Sequence, residues 1–127
     1  MTIIGPFNYQ AIYESDVWNV YHALGTGYSV LLIHPSNGPT LWLVPPTEKY
    51  CLFHTDAHIV DVLIENGLVE RTTPENLPYD ADAIYQLTNK GKELLASIYD
   101  EVQQLPEHER FPAGGELLKR RINLQRP

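Results

Sequence analysis

Glycine and proline divide the first half of this chain into short apolar segments. Gly25 and Gly27 follow one segment, residues 35–39 (Pro-Ser-Asn-Gly-Pro) follow a second, and Pro45 and Pro46 follow a third. No apolar stretch approaches the roughly 18–20 residues that a membrane span needs. Short segments bounded by turn residues pack as several helices and strands around a core, and 127 residues suffice for one such core but not for two.

The first three segments differ in their periodicity. The apolar residues within 17–24 recur at i, i+3, i+4 and i+7, which predicts a helix with one apolar face. Residues 28–34 and 40–44 lack helical spacing and are rich in Val, Leu and Ile. With the turn sequence between them, they predict a β-hairpin. Residues 50–53 predict a short third strand.

A second helix is predicted over residues 55–66. Thr55 is a suitable N-cap, and Gly67 is a suitable stop after the last turn. Val60 and Ile64 widen the apolar face of this helix, so the sequence places both in the core.

Two strands and a long helix complete the pattern. Residues 68–72 and 83–87 predict the strands, which are joined by an acidic loop that contains prolines. The helix begins after Thr88 or Asn89, and Pro106 follows its end.

The C-terminal segment is predicted to lie outside the folded unit. Residues 108–115, HERFPAGG, combine proline with glycine and predict a linker. We therefore predict one domain over residues 1–112 and a basic tail over residues 113–127.

Two motifs resemble the back half of a winged-helix domain of bacterial or phage regulators. Residues 67–69 (Gly-Leu-Val) end a helix and lead into a strand, and residues 87–91 (Leu-Thr-Asn-Lys-Gly) connect the return strand to the next helix. The match covers only Thr55–Ala96, about a third of the chain. The resemblance implies a winged-helix-like α+β fold: an N-terminal helix, a β-hairpin, a central helix, a two-stranded wing and a long C-terminal helix. It also implies DNA binding.

The chain departs from this family where the family binds DNA. A helix-turn-helix needs a short helix before its recognition helix, whereas residues 41–53 contain two prolines and resemble strand and turn. The central helix presents Asp56, His58, Asp61 and Glu65, with no Lys or Arg. Because such helices contact bases and phosphates with Arg, Lys, Asn or Gln, the family's DNA binding does not carry over.

The charge distribution favours a basic protein partner. Nine Lys and Arg residues stand against sixteen Asp and Glu, a formal net charge of −7. The first basic residue is Lys49, and four of the nine lie within residues 119–127. Most of this surface would repel a polyanion.

We therefore predict a non-enzymatic regulator or inhibitor that binds a protein with a basic, nucleic-acid-binding surface. In its sharper form the protein mimics DNA, with spaced carboxylates in place of phosphates, as small acidic phage proteins that block host defence complexes do. The candidate partner-binding residues are Asp56, Asp61, Glu65, Glu75, Asp80 and Asp82.

The alternative is a DNA-binding winged-helix transcriptional regulator that acts as a dimer. It requires basic residues on the same side as the 55–66 helix, where they would contact phosphates. Homodimerisation is a further alternative, because the basic tail could dock on the acidic body of a second copy. The candidate DNA-binding residues are Lys90, Lys92, Lys119, Arg120 and Arg121.

No pattern indicates an enzyme, a cofactor or a metal site. Cys51 is the only cysteine, which excludes an intrachain disulfide and a cysteine-based zinc site. His54 and His58 have metal-ligand spacing only if both lie on one helix, and Thr55 as N-cap would put His54 outside it. The single cysteine and the absence of a signal-like start predict a cytoplasmic protein.

Overall fold

The computed structural model describes residues 17–33, 38–45 and 53–122. These residues form a mixed α+β fold with four helices and a five-stranded antiparallel sheet. Among them, no helix combines the length and the apolarity that crossing a membrane requires. In chain order the elements are α1 (Val17–Gly25), β1 (Ser29–Ile33), β2 (Thr40–Val44), β3 (Phe53–Thr55), α2 (Ala57–Glu65), β4 (Val69–Thr72), a 3₁₀ turn (Pro78–Asp80), β5 (Ala83–Leu87), α3 (Asn89–Val102) and α4 (Glu107–Arg121).

The α+β class and the first hairpin are confirmed, because β1 pairs with β2 in antiparallel register. The third strand lies at Phe53–Thr55, and the earlier part of its predicted range, 50–52, is outside the described residues. Thr55 is the buried last residue of β3 and not the N-cap of α2. That position belongs to Asp56, whose side chain makes no capping hydrogen bond.

The strand order is β3-β2-β1-β5-β4, and every neighbouring pair is antiparallel. Leu32 of β1 lies opposite Leu41 at the start of β2 and Ala83 at the start of β5. Leu41 in turn lies opposite Thr55 at the end of β3. We call this the Leu32 end of the sheet. At the opposite end, the Ser29 end, β1 begins and β5 ends.

The helices cover one face of the sheet, and α1 lies at the centre of the core. It contacts β1, β5 and all three other helices. Every residue from Trp18 to Leu24 is buried, including Asn19 and His22. The single apolar face predicted from the sequence was therefore too narrow, since α1 is surrounded on all sides.

The predicted linker over 108–115 is wrong, because one continuous helix, α4, runs through it and through the predicted boundary at 112/113. Gly114 and Gly115 are buried against the ring of Trp18, and a Cβ at Gly114 would collide with that ring. Leu118 is also buried, in the same core as α1. The glycines thus allow a close approach of two helices, where the sequence indicated a break.

Candidate protein-binding surface

A network around the Thr88 hydroxyl fixes α2 relative to the sheet. This hydroxyl donates to the Gly67 carbonyl (2.6 Å) and accepts from the Gly91 N–H (3.0 Å). Gly91 packs against the backbone of Leu68 so closely that a Cβ would collide with the Leu68 carbonyl oxygen. The Tyr21 hydroxyl donates to the Gly91 carbonyl. The residues of both sequence motifs therefore hold the scaffold together, and this role requires no contact with DNA.

Charge is divided unequally between two parts of the chain. The acidic region, residues 53–88, holds seven carboxylates and one arginine. The helical pair, residues 89–122, holds six carboxylates and six Lys or Arg residues. Six of the seven carboxylates in the acidic region are exposed, and Asp61 is half-buried. The exposed ones are Asp56, Glu65, Glu70, Glu75, Asp80 and Asp82.

Four of the six candidate carboxylates belong to the Leu32 end of the sheet. Asp56 directly follows β3, and Asp82 directly precedes β5. The Asp82 N–H donates to the Leu32 carbonyl (2.8 Å). Glu75 and Asp80 lie on the loop between β4 and β5, which leaves and re-enters the sheet at this end. We call these four residues the acidic end.

The other two candidates lie on α2, which runs from the acidic end towards the Ser29 end. Asp61 forms part of the wall of a cleft, and Glu65 is the exposed last residue of the helix. Four carboxylates are therefore grouped at one end of the sheet, and two continue along the helix that starts there.

A cleft of about 430 Å³ opens between the first half of α2 and the sheet. Its lining is mainly apolar, with Asp61 and Arg71 as the charged groups. Among the described residues, no carboxylate oxygen lies within 4.0 Å of the Arg71 guanidinium. The apolar and aromatic lining residues are Leu32, Pro39, Leu41, Ala57, Val60 and Tyr85.

Ile64 extends the apolar surface of the cleft along α2. Its side chain is 38% exposed, and it is the one exposed large hydrophobic residue among those whose burial the structure describes. Ala57, Asp61 and Ile64 stand at i, i+4 and i+7, so they share one helix face. The sequence placed Ile64 in the core because it falls beside the buried positions Val60 and Leu63. We call the cleft and Ile64 together the α2 stripe.

Lys90 and Lys92, two of the five candidate DNA-binding cations, lie at the Ser29 end. The Lys90 side chain lies beside Gly67, just after α2. Lys92 lines a small cleft of about 230 Å³ together with Leu24 and Tyr28. These cations are therefore separated from the acidic end by the length of the sheet.

Two of the three remaining candidate cations contact carboxylates of the helical pair. Arg121 is paired with Glu101 of α3 and donates to the Ser97 hydroxyl (3.0 Å). Lys119 lies 3.4 Å from Glu116, and Arg120 is exposed. In addition, Arg110 donates to the Leu105 and Gln103 carbonyls after the end of α3, a role that the sequence pattern did not indicate.

The two histidines with metal-ligand spacing lie on different elements. His54 is in β3, with its ring 5.5 Å from that of Trp42, whereas His58 is exposed on α2. Within the described ranges, no group of three or more His, Cys, Asp or Glu residues could hold a metal ion. Cys51 lies outside those ranges.

Sequence reasoning missed a buried polar cluster between α1, α3 and α4. His22 is 1% exposed, and its Nδ1 forms a 2.7 Å hydrogen bond with the Tyr99 hydroxyl. Its ring stacks on Trp18 and meets Phe111 edge-on. Burial lowers the pKa of His22 to about 4, so the ring is neutral at pH 7. This cluster contributes to packing.

Comparison of the chain with family models, curated proteins and solved structures finds no match. Its function must therefore be inferred from its own charge, shape and exposed residues.

Proposed function

We propose that this protein is a non-enzymatic regulator or inhibitor that binds a partner protein through the acidic end. The observation that carries this proposal is the grouping of Asp56, Glu75, Asp80 and Asp82 at one end of the sheet, within a region that contains a single arginine. Exposed carboxylates at one end of a sheet sum to a negative potential, which steers a cationic surface towards them.

A nucleic-acid-binding protein is the partner class that fits this surface best. Such a protein presents Lys and Arg where phosphates would bind, and spaced carboxylates can occupy the same positions. The acidic end has several exposed carboxylates at the end of a rigid sheet, which supports the DNA-mimic form of the proposal.

The strand order supports a winged-helix-like arrangement within this proposal. In the order α1, β1, α2, β4, β5, α3, the strand β1 pairs with β5 and β5 pairs with β4. The strands β2 and β3 stand where a helix-turn-helix has its first helix. We propose that α2, in the position of a recognition helix, contacts a protein.

The placement of the cations disfavours the DNA-binding alternative. Lys90 lies beside Gly67 at the end of α2, and Lys92 lines a separate cleft. Lys119 and Arg121 are paired with carboxylates of the helical pair, so the candidate cations are scattered and do not form one surface with α2. A dimer that binds DNA through α2 would bring the carboxylates of α2 towards phosphates, which costs binding free energy.

Two variants with the same change in net charge test the proposal. The first is Asp56→Asn/Glu75→Gln/Asp80→Asn at the acidic end. The matched control is Glu93→Gln/Asp100→Asn/Glu107→Gln on the helical pair, where all three carboxylates are also exposed. The probes are fluorescent poly-L-lysine and a labelled random DNA duplex, titrated by anisotropy at about 50 mM salt, where charge-driven binding is strong.

We expect poly-L-lysine to bind the wild type and the control with similar affinity. The acidic-end variant should bind about tenfold more weakly, because three charge contacts contribute about 0.5 kcal/mol each. The duplex should not bind at high micromolar protein. Equal losses in both variants, or saturable and salt-sensitive duplex binding, would contradict the proposal.

A further inference from the structure

We propose that the α2 stripe binds a basic segment of the partner that carries two apolar side chains about 10 Å apart. This inference rests on the proposed function and specifies the partner's chemistry. One apolar side chain enters the cleft, the other covers Ile64, and lysines or arginines beside them contact Asp61 and Glu65.

The cleft has the size and the composition of a site for an inserted side chain. Its volume of about 430 Å³ falls in the range of ligand-binding clefts, and six of the eight described residues that line it are apolar or aromatic. Its floor includes Leu41 and Tyr85, which are buried residues of the core cluster. The shape of the cleft is therefore maintained by the packed sheet beneath it.

Ile64 provides a second apolar contact on the same helix face. Exposing a large aliphatic side chain costs free energy, and burying it on binding recovers about 25 cal/mol for each Å² of apolar surface. A contiguous apolar patch with a polar rim is typical of a binding site, and Ile64 continues the apolar lining of the cleft along the same helix.

The helix geometry fixes the distance between the two contacts. Ala57 at the cleft and Ile64 are seven residues apart, which corresponds to about 10 Å along a helix that rises 1.5 Å per residue. A partner helix presents side chains at this distance when they stand at i and i+7.

Charge complementarity selects a basic segment. Asp61 lines the cleft, Glu65 follows Ile64, and Asp56 precedes Ala57, so carboxylates border the stripe along its length. Arg71 is the one cation among the described residues that line the cleft, and it would repel lysines or arginines of the partner. Removing its charge should therefore strengthen binding.

Three 18-residue peptides of alanine, leucine and charged residues serve as probes. The first carries lysines and two leucines seven positions apart, on one helix face. The second has the same composition with the leucines nine positions apart, on opposite faces. The third repeats the first with glutamate in place of lysine. Binding is measured by isothermal titration calorimetry with the full chain, and backbone amide shifts locate the contact.

We expect the first peptide to bind about tenfold more tightly than the second, and the third not to bind. Perturbed amides should include those of Ala57, Asp61 and Ile64. Arg71→Gln should strengthen binding of the first peptide about threefold. If that substitution instead abolishes binding of the glutamate peptide, the cleft is a site for anions and the inference is wrong.

Two substitutions test the stripe itself, and two others serve as controls. Ile64→Ser and Ala57→Gln should each weaken binding of the first peptide about five- to tenfold. The controls are Leu117→Ser, at a partly buried position of α4, and Ala96→Gln, at an exposed position of α3, and both should leave affinity within twofold. Circular dichroism verifies that each variant is folded.

The inference and the proposed function can fail separately. If the two lysine peptides bind equally, or if Ile64→Ser has no effect, the stripe is not the docking site. The proposed function still stands in that case, provided that the acidic-end variant binds poly-L-lysine more weakly than wild type and its matched control does not.

Discussion

The acidic region and the helical pair contain similar numbers of carboxylates and use them differently. On the helical pair, Glu101 pairs with Arg121, and Glu116 lies near Lys119. In the acidic region, Arg71 is the single cation for seven carboxylates, and no described carboxylate contacts it. The helical pair thus has as many cations as carboxylates, whereas the acidic region carries an excess of negative charge that favours a cationic partner.

The largest expected effect tests whether the helical pair is the structural half. Gly114→Leu should destabilise the protein by about 3 kcal/mol or more, because its side chain would overlap the Trp18 ring in a packed core. Urea unfolding measures the change. Glu75→Gln, in the exposed loop of the acidic region, should alter stability by less than about 0.5 kcal/mol. If the two substitutions changed the free energy of unfolding equally, the helical pair would not be the structural half of the molecule.

A second prediction concerns pH and the buried His22. Its pKa is lowered from 6.5 to about 4 in the folded state, so between these values the unfolded state binds more protons. Neutral His22 makes its full contribution to the free energy of unfolding above pH 6.5. That contribution is lost as the pH falls towards 4, and the loss amounts to about 3 kcal/mol at most.

The measurement is urea unfolding at several pH values between 7 and 4. His22→Phe removes the titrating group. The free energy of unfolding of this variant should therefore change less with pH between 7 and 4, even if the variant is less stable than wild type at pH 7. An unchanged slope in that variant would assign the acid sensitivity to other groups.

The smallest expected effect sharpens the comparison of charges. At low salt, the triple variant of Asp56, Glu75 and Asp80 should be more stable than wild type by about 0.5 kcal/mol, because it relieves repulsion. The matched triple variant of Glu93, Asp100 and Glu107 should show no gain, since it lies in a balanced region and removes a carboxylate from the first turn of α4. Thermal unfolding at about 20 and 500 mM salt should show that the difference disappears at high salt.

Local patterns were sufficient to predict most of the strands. β2 and β5 have the predicted bounds, because each is a short apolar run with turn residues on both sides. The helix α4 was missed because Pro112, Gly114 and Gly115 usually interrupt helices, and only the position of Trp18 explains the glycines. Local sequence does not specify such long-range packing.

The candidate site was predictable in composition but not in arrangement. The sequence identified the six carboxylates, and the strand registers show that Asp56 and Asp82, 26 positions apart, belong to one end of the sheet. Ile64 was assigned to the core because a helical pattern cannot show where the neighbouring elements stop covering a face. The cleft and the exposure of Ile64 both depend on tertiary structure, so the local sequence pattern does not predict them.

The network around the Thr88 hydroxyl (the Thr88 joint) separates the residues that maintain the fold from the surface residues that can be substituted. Its contacts are made by Gly67, Leu68, Gly91 and Tyr21, all outside the solvent-facing side of α2. Residues on that side can therefore be exchanged without disturbing the joint. The scaffold is suited to protein engineering: new recognition sequences can be grafted onto α2 while the frame beneath keeps its geometry.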